Sequence, residues 1–371
     1  MSMIKNHTRG FGSPGRYFQG PGLIDELHKY TKLYGKKVFA VIDVFFYTRY
    51  TEKLKEAYSK TDSEIVTEKF GGEVTETEIN RVTELAGPFS PEVIVGIGGG
   101  KTLDTAKALA DNLHVPVIIV PTTASTDAPC SALSVIYKEN GEHSHARHYI
   151  ESPNIVLMDS EVITKAPIRY LISGMGDALS TYFEARANQE SDSPNYISGG
   201  YRRPKVAMAI AKLCYEVLLE DGLKAKISAE NGVCTEAVEN IIEANTLLSG
   251  LGFENTGCAG AHSVGDGITA LPEGAKTLHG ERCAFGVICQ LVAEGRDMKE
   301  IKEVILFNLN VGLPVTLEDM GIEAKEANVR KIAEVSLKSF WDAEPFIASA
   351  DKVYQDIMSA NALGHYYKKL Y

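Results

Sequence analysis

A run of glycines followed by a lysine and a threonine, Gly96-Ile-Gly-Gly-Gly-Lys-Thr102, is the most informative stretch of the 371-residue sequence. It overlaps the end of an apolar run, Val93 to Ile97, and leads into a helical pattern. Glycine lets backbone N–H groups approach an anion closely, and a helix N-terminus favours negative charge. The stretch has neither the Walker A spacing nor a dinucleotide GxGxxG, because Lys101 stands at the third glycine. It predicts a site for a nucleotide pyrophosphate or a sugar phosphate, and otherwise a tightly packed connection.

Two further polar groups follow apolar runs. Asp43 closes the run Val38 to Ile42, where a carboxylate can accept hydrogen bonds from a ribose diol and repel a 2′-phosphate. The hydroxyl-rich loop 121–127 (PTTASTD) follows the run Val117 to Val120. Because ligands of open α/β sheets bind outside the carboxyl ends of strands, we expect both groups to contact the same ligand as the glycine turn. Asp43 favours NAD over NADP, although either group taken alone is also typical of an ordinary turn.

Potential metal ligands stand in the second half of the chain. Asp177 follows Gly174-Met-Gly176, His262 lies in GAHSV, and His279 lies in LHGE. Two neutral imidazoles and one carboxylate leave coordination positions open, as a catalytic divalent metal requires. The spacing is too wide for a local zinc motif, and a competing histidine cluster, His143 to His148, lies in a polar stretch (KENGEHSHARH) typical of an exposed hairpin or loop.

Composition excludes several classes of protein. The chain has 38 basic and 49 acidic residues, a net charge of -11, and no block of consecutive Lys and Arg, so nucleic acid and an anionic membrane surface are not expected partners. Its apolar runs are far shorter than the ~18–20 residues of a membrane span, and the N-terminal MSMIKNHTRG lacks the apolar region of a signal peptide. The six cysteines form no CxxC pair. We interpret them as structural and expect a cytoplasmic protein.

The pattern of elements predicts an α/β fold in two domains. Residues 1–165 alternate β-branched runs, including Ile155 to Met158, with helices, as in a Rossmann-like domain with a mainly parallel sheet. Thr75 to Glu78 is a capping box that predicts a helix start, and another helix starts near Thr102. Residues 166–371 show helical periodicity only, in Lys205 to Glu220, Ala229 to Leu248, Ala324 to Phe340 and Ser349 to Leu363. We expect an active site in the cleft between the two domains.

Several long motifs, in the same order, carry a family resemblance over essentially the whole chain. They are SPGRYFQGPG, GIGGGKTLDTAK, PTTASTDAPCSALSVIY, SGMGDALSTYFEA, GCAGAHSVGDGITAL and HGERCAFG. With these motifs the chain resembles the glycerol dehydrogenases, a family of the metal-dependent (iron-containing-type) alcohol dehydrogenase superfamily. The resemblance implies a Rossmann-like NAD domain followed by an all-helical metal domain, an architecture shared with dehydroquinate synthase. It also implies a homo-oligomer, commonly an octamer.

The resemblance further implies roles for individual residues. The pyrophosphate of NAD would meet Gly98, Gly99, Gly100, Lys101 and Asp104, and the adenosine ribose would meet Asp43. The nicotinamide side would be formed by Thr122, Thr123, Ser125, Ser131, Leu133 and Tyr137. Catalysis would involve Asp127, which hydrogen-bonds the substrate, and His262. One Zn²⁺, with Fe²⁺ as the alternative, would be held by Asp177, His262 and His279.

The activity implied is the reversible oxidation of glycerol to dihydroxyacetone, extending to other small vicinal diols. The alternative within the same architecture is a phosphorylated substrate, as in glycerol-1-phosphate dehydrogenase or a dehydroquinate synthase-like lyase; a binding protein that retains NAD without turnover is a further alternative. Two departures from the pattern matter. Gly265 and Asp266 stand where many relatives have another histidine, and Ser191 to Arg203 differs from the common pattern. The sequence does not choose among glycerol, 1,2-propanediol and 2,3-butanediol.

Overall fold

The computed structural model describes residues 7–198 and 200–371, which divide into two compact units. The sheet unit consists of Gly12–Ala124 and Ala128–Ala166. The helical unit consists of Pro167–Tyr371, the short segment Ser125–Asp127 and the described residues through Phe11. Within the described ranges, no helix combines the length and apolar character needed to cross a bilayer.

The sheet unit is built on a six-stranded parallel sheet, as the sequence predicts. The strands of this unit are β1 (Tyr17–Gly20), β2 (Lys37–Ile42), β3 (Glu64–Lys69), β4 (Val93–Gly98), β5 (Val117–Pro121), β6 (Leu133–Tyr137), β7 (His143–His148) and β8 (Ile155–Asp159). The sheet order is β1-β8-β5-β4-β2-β3, and β6 pairs with β7 in a separate antiparallel hairpin. Connections leave β2 and β4 in opposite directions, toward β3 and toward β5. A topological switch point, where doubly wound sheets bind ligands, therefore lies between β2 and β4.

The central strands are the ones that the sequence predicts. Every residue of β4, β5 and β8 is buried, and β2 is buried after Lys37, because helices cover both faces of the sheet. The strands β1 and β3 were not predicted. They lie at the two edges of the sheet, where a strand needs fewer apolar residues, and Thr67 is the one buried residue of β3.

Five α-helices belong to the sheet unit. They are α1 (Leu27–Thr31), α2 (Tyr47–Tyr58), α3 (Glu76–Ala86), α4 (Gly100–Leu113) and α5 (Ser160–Thr164). The predicted capping box begins α3, where the Thr75 hydroxyl accepts a hydrogen bond from the backbone N–H of Glu78 at 3.1 Å. The helix α4 packs tightly against β4, since a Cβ atom built on Gly96 would lie 2.6 Å from the Cβ atom of Ala106.

The competing histidine cluster, His143 to His148, forms strand β7 of the β6/β7 hairpin. The histidines of β7 are exposed, and His145 Nε2 lies 3.7 Å from Glu76 Oε1. Among the described residues, no group of metal-ligating side chains includes His143, His145 or His148.

The helical unit contains no strand among its described residues, as predicted, apart from an isolated bridge between Arg9 and Arg202. Its helices are α6 (Ile168–Ser191), α7 (Lys205–Glu230), α8 (Glu236–Glu243), α9 (Ser249–Thr256), α10 (Gly260–Ile268), α11 (His279–Ala293), α12 (Met298–Val311), α13 (Glu326–Ser336) and α14 (Ala350–Lys368). A five-residue π-helix, Ala244–Leu248, joins α8 to α9. The predicted helix Ala229 to Leu248 is wrong at its start. The chain breaks after α7, where Gly232 takes a left-handed φ of 70°.

Candidate metal centre and nucleotide site

The predicted metal ligands Asp177, His262 and His279 meet in the helical unit. Asp177 lies within α6, His262 in the first turn of α10, and His279 is the first residue of α11. Asp177 Oδ1 is 3.2 Å from His279 Nε2 and 3.6 Å from His262 Nε2, and the two imidazole nitrogens are 3.2 Å apart. Residues far apart in sequence therefore place one oxygen and two nitrogens around a common point.

Glycines at the crossing of α6 and α11 bring two of these ligands together. A Cβ atom on Gly176 would lie 2.2 Å from the carbonyl oxygen of Gly280. A Cβ atom on Gly280 would lie 1.7 Å from the carbonyl oxygen of Ser173. Real side chains cannot approach a backbone this closely, so the two helices touch main chain to main chain. Because these glycines adjoin Asp177 and His279, their contact fixes the separation of the two ligands.

The carboxylate of Glu184 orients His262. The His262 ring donates its Nδ1–H to Glu184 Oε2 at 2.6 Å, which leaves the Nε2 lone pair facing Asp177 and His279. The other carboxylate oxygen, Oε1, accepts hydrogen bonds from the backbone N–H groups of Ala259 and His262, both at 2.8 Å. The sequence analysis did not single out Glu184. A carboxylate seven residues after Asp177 on one helix, two turns along the same face, was the available signal.

A second buried carboxyl group holds the start of α10. Glu344 Oε1 accepts a hydrogen bond from the backbone N–H of Gly260 at 2.9 Å. Burial, with the neighbouring carboxylates of Glu294 and Glu184, raises the pKa of Glu344 to about 9. Glu344 is therefore protonated near neutral pH.

Two of the six cysteines, which the sequence analysis interpreted as structural, lie at the cluster. Cys283, fully buried on α11, places its Sγ 3.6 Å from His279 Nε2. Cys258 belongs with Glu184 and His262 to a second group of metal-ligating side chains. Burial raises the pKa of Cys258 to about 12. Burial also acts to raise the pKa of Cys283, but the imidazoles of His262 and His279 lower it more.

Asp127 lies beside the metal ligands, within the helical unit. Its backbone N–H donates to Asp177 Oδ2 at 3.2 Å, and its Oδ2 accepts a hydrogen bond from the Ser249 hydroxyl at 2.7 Å. Ser249 is in turn 2.9 Å from the Thr181 hydroxyl oxygen. Burial and the nearby Asp177 carboxylate raise the pKa of Asp127 to about 7. Ser249, which positions Asp127, directly follows the π-helix and was not identified from the sequence.

The electrostatics of the cluster favour a cation. Burial acts to lower the pKa of His279, but the negative charges of Cys283 and Asp177 raise it to about 10. Burial likewise acts to raise the pKa of Asp177, but the two histidines lower it below its usual range. Asp177 Oδ1 is buried, and within the described chain no hydrogen-bond donor other than the two imidazole nitrogens approaches it. A buried anionic oxygen that faces only imidazole nitrogens is suited to binding a metal ion.

The spacing of the three ligand atoms fits a tetrahedral metal ion. Ligands about 2.1 Å from one ion at the tetrahedral angle lie ~3.4 Å apart. The separations among Asp177 Oδ1, His262 Nε2 and His279 Nε2 are 3.2, 3.2 and 3.6 Å. The three ligand atoms leave the fourth tetrahedral position free of the predicted ligands, and the His279 side chain is 38% exposed. A divalent ion held by these residues would keep room for a small ligand.

Gly265 and Asp266, which stand where many relatives have another histidine, supply no ligand to this cluster. Asp266 Oδ2 accepts a hydrogen bond from the Ser339 hydroxyl at 2.7 Å, and neither Gly265 nor Asp266 belongs to a metal-ligating group of the described residues. A fourth protein ligand, if one exists, therefore comes from elsewhere.

In the sheet unit, the predicted nucleotide residues gather at the carboxyl ends of three adjacent strands. Gly98 ends β4, and its carbonyl oxygen accepts a hydrogen bond from the Thr122 N–H at 3.0 Å, just after β5. A Cβ atom on Gly98 would lie 2.8 Å from the Cβ atom of Asp43, just after β2. Asp43 accepts hydrogen bonds from the Phe45 N–H at 2.9 Å and from the Thr102 hydroxyl at 3.4 Å. Asp43 and the glycine turn therefore adjoin at the switch point of the sheet.

The start of α4 has room for a ligand. A Cβ atom on Gly99, the N-cap residue, would meet no atom within 4 Å, and α4 begins at Gly100. Lys101 is exposed there and binds Glu73, with its Nζ 2.5 Å from Glu73 Oε2 and 5.4 Å from the centre of the Tyr137 ring. Open space in front of a helix N-terminus is the usual geometry of an anion site.

Other predicted cofactor residues make internal contacts. Asp104 is buried, accepts a hydrogen bond from the Val135 N–H at 2.9 Å and lies 3.4 Å from Lys107 Nζ, so it ties α4 to β6. Ser131 is buried and donates to the Ala128 carbonyl, and the Leu133 carbonyl accepts from Lys107. Thr123 is half-buried in the sheet unit, whereas Ser125 belongs to the helical unit, where its carbonyl accepts from Ser173. Their roles toward a cofactor remain predictions.

The chain is similar to proteins of known family. The profile of the iron-containing alcohol dehydrogenases matches residues 14–160. A glycerol dehydrogenase of Citrobacter freundii is 42% identical over 357 residues, which covers 95% of this chain and 97% of that protein. A glycerol dehydrogenase of Thermotoga maritima is 47% identical over 324 residues, 86% of this chain and 87% of that protein.

Solved structures agree with the sequence relatives. The structure of glycerol dehydrogenase from Schizosaccharomyces pombe superposes with a TM-score of 0.94 at 33% identity, covering 100% of this chain and 94% of that one. A probable glycerol dehydrogenase from Sinorhizobium meliloti gives a TM-score of 0.90 at 43% identity, covering 96% of this chain and 99% of that one.

Proposed function

We propose that this chain, which belongs to the iron-containing alcohol dehydrogenase family and within it to the glycerol dehydrogenases, oxidises glycerol reversibly to dihydroxyacetone with NAD. The observation that carries the proposal is the convergence of Asp177 Oδ1, His262 Nε2 and His279 Nε2 within 3.6 Å of one another. Such a donor set with an open side is typical of a catalytic metal rather than a structural one.

The residues of the helical unit would hold the ion and orient the substrate. Asp177, His262 and His279 would bind Zn²⁺, and Glu184 would keep the His262 ring in the binding tautomer. When bound, the divalent ion would supply Lewis acidity that lowers the pKa of a substrate hydroxyl. Asp127, fixed by Ser249, would accept a hydrogen bond from a polyol hydroxyl and so orient the diol. Zinc is preferred to Fe²⁺ on the family resemblance, since the donor set accepts either metal.

The sheet unit would bind NAD at its switch point. The backbone of Gly98, Gly99 and Gly100, at the start of α4, would face the pyrophosphate, with Lys101 released from Glu73 to join it. Asp43 would accept hydrogen bonds from the ribose hydroxyls and disfavour the 2′-phosphate of NADP. NAD would supply the hydride acceptor, while the protein contributes binding and orientation.

Further properties come from the family. We propose a cytoplasmic homo-oligomer, with an octamer as the assembly implied by the family resemblance, and small vicinal diols as additional substrates. A phosphorylated substrate is not favoured by the comparisons.

The test is the initial rate of NADH formation with glycerol. Enzyme stripped by a chelator is reloaded separately with Zn²⁺ and with Fe²⁺, and each preparation is assayed with NAD. Recovery with Zn²⁺ would support a zinc-dependent polyol dehydrogenase, and recovery with Fe²⁺ alone would correct the metal. Absence of NADH under both loadings, with NAD still bound, would refute the glycerol assignment.

A further inference from the structure

The helix that contributes His279 also carries a sulfur donor one turn further along. Cys283 follows His279 by four residues on α11, so both side chains lie on one face of the helix. The ligand atoms of Asp177, His262, His279 and Cys283 all lie within 4.8 Å of one another. We propose that Cys283 is a fourth protein donor to the divalent ion, an inference that rests on the metal site of the proposed function.

The distance to sulfur fits coordination. Zinc binds cysteine sulfur at about 2.3 Å and histidine nitrogen at about 2.1 Å, so at the tetrahedral angle the sulfur and nitrogen lie ~3.6 Å apart. Cys283 Sγ is 3.6 Å from His279 Nε2. This separation fits a sulfur and a nitrogen bound to one ion. With Cys283 bound, a substrate hydroxyl would enter as a fifth ligand, as catalytic zinc sites allow.

The charge of the donor set also fits. Asp177 and Cys283 are at most 1% exposed, and a buried anion is stable only when it is paired. One carboxylate and one thiolate neutralise a divalent ion, while the two histidines bind as neutral ligands. The set Asp177, His262, His279 and Cys283 would thus bury an ion without net charge.

The other nearby cysteine is not arranged in the same way. Cys258 groups with Glu184 and His262, but both oxygens of Glu184 already accept hydrogen bonds, from His262 Nδ1–H and from two backbone N–H groups. A metal on that side would have to displace the proton from His262 Nδ1. Cys283, in contrast, faces the Nε2 atom of His279, which points toward Asp177.

A sulfur donor would alter which ions the site prefers. Thiolate is a soft ligand that favours zinc and cobalt over magnesium and manganese, whereas an Asp-His-His set discriminates less. Cys283 would therefore provide the fourth ligand that Gly265 and Asp266 do not supply, and it would bias the site toward zinc.

The experiment uses the full-length protein, stripped of metal and loaded with one equivalent of Co²⁺. Wild type should show a sulfur-to-cobalt charge-transfer band in the near ultraviolet, and Cys283→Ser should lose it. The matched controls Cys258→Ser and Cys289→Ser, each removing a buried thiol, should keep the band. In chelator competition, Cys283→Ser should raise the Kd for Zn²⁺ by at least the roughly 10-fold typical of losing an outer-sphere partner. Its Kd for Mn²⁺ should change less.

Each outcome decides the proposal. Co²⁺ bound without the band, or a band that disappears in Cys258→Ser instead, overturns the role of Cys283 while leaving the Asp177, His262 and His279 site intact. Failure of wild type to bind Co²⁺ or Zn²⁺ overturns both this inference and the proposed function. Should Cys283→Ser fail to fold, X-ray absorption on zinc-loaded Cys258→Ser decides: one sulfur at about 2.3 Å supports the inference, and a shell of nitrogen and oxygen alone overturns it.

Discussion

Replacing Glu184 by Gln tests whether the orientation of His262 controls metal binding. Glu184 accepts three hydrogen bonds, from His262 Nδ1–H at 2.6 Å and from the N–H groups of Ala259 and His262 at 2.8 Å. Glutamine has nearly the same shape but only one acceptor oxygen. In the variant, either the side-chain NH₂ faces His262 Nδ1–H or it faces the two backbone donors. In both arrangements donors face donors in a buried site.

The magnitude follows from the contacts that are lost. In Glu184→Gln, a change of the His262 tautomer can remove the clash between donors: Nδ1 then accepts a hydrogen bond from the glutamine amide, and Nε2 carries the proton. That tautomer removes the lone pair that faces Asp177 and His279. Loss of an outer-sphere partner of this kind typically lowers metal affinity 10–100-fold, or about 1.4–2.7 kcal/mol. The Kd for Zn²⁺ should rise by that factor.

The assay is competition for Zn²⁺ with a chromophoric chelator, at fixed pH, on wild type and two variants. Glu190→Gln is the matched control. It removes the same charge from the same helix, but Glu190 is more exposed and binds Arg296 instead of a histidine. Glu190→Gln should bind Zn²⁺ as wild type does. If Glu184→Gln binds Zn²⁺ within about twofold of Glu190→Gln while remaining folded, Glu184 does not orient a metal ligand and the reasoning fails.

Three further outcomes are expected. His279→Ala should lose most bound zinc and nearly all turnover, whereas His145→Ala on the exposed hairpin should lose neither; metal analysis beside NADH formation checks both. Asp43→Ser should raise the ratio of NADP to NAD activity in kcat/KM, since serine keeps an acceptor for the Phe45 N–H but removes the charge; an unchanged ratio would show that Asp43 does not select the cofactor. For metal-free protein, the free energy of unfolding should fall as pH rises between 4.5 and about 9, because folded Glu344 retains a proton that the unfolded chain releases. Glu344→Gln should reduce that slope by up to about 1.4 kcal/mol per pH unit in chemical denaturation, and equal slopes would contradict the raised pKa of Glu344.

The sequence predicted the parts of the fold that bury long apolar runs. The four central strands and the glycine turn stand where predicted, because a strand covered on both faces must be continuously apolar. The edge strands β1 and β3 were missed, since edge positions impose a weaker pattern. The break between α7 and α8 was misplaced. The sequence analysis ended one helix at Glu220 and began the next at Ala229, whereas α7 continues to Glu230 and the chain turns at Asn231-Gly232, a pair typical of turns.

The sequence identified the candidate ligands but not the residues that support them. Asp177, His262 and His279 stand in recognisable motifs, and the structure brings them together. Glu184 and Ser249 act through contacts with residues 78 and 122 positions away, which no local spacing reveals. Cys283 was read as structural because cysteine without a partner in sequence usually is. The contacts of all three residues depend on how α6, α9, α10 and α11 pack, and not on a local signature.

The backbone contact between α6 and α11 has a consequence for how the ion comes and goes. Because Gly176 and Gly280 bring main chain against main chain, Asp177 and His279 keep their separation through rigid elements and not through the ion itself. Folding of the chain therefore brings the candidate ligands together before any ion binds. A chelator should therefore remove the ion without changing the positions of Asp177 and His279, and an ion that binds again would find a preformed site. Metal exchange at the proposed site would then depend on access and affinity and not on refolding.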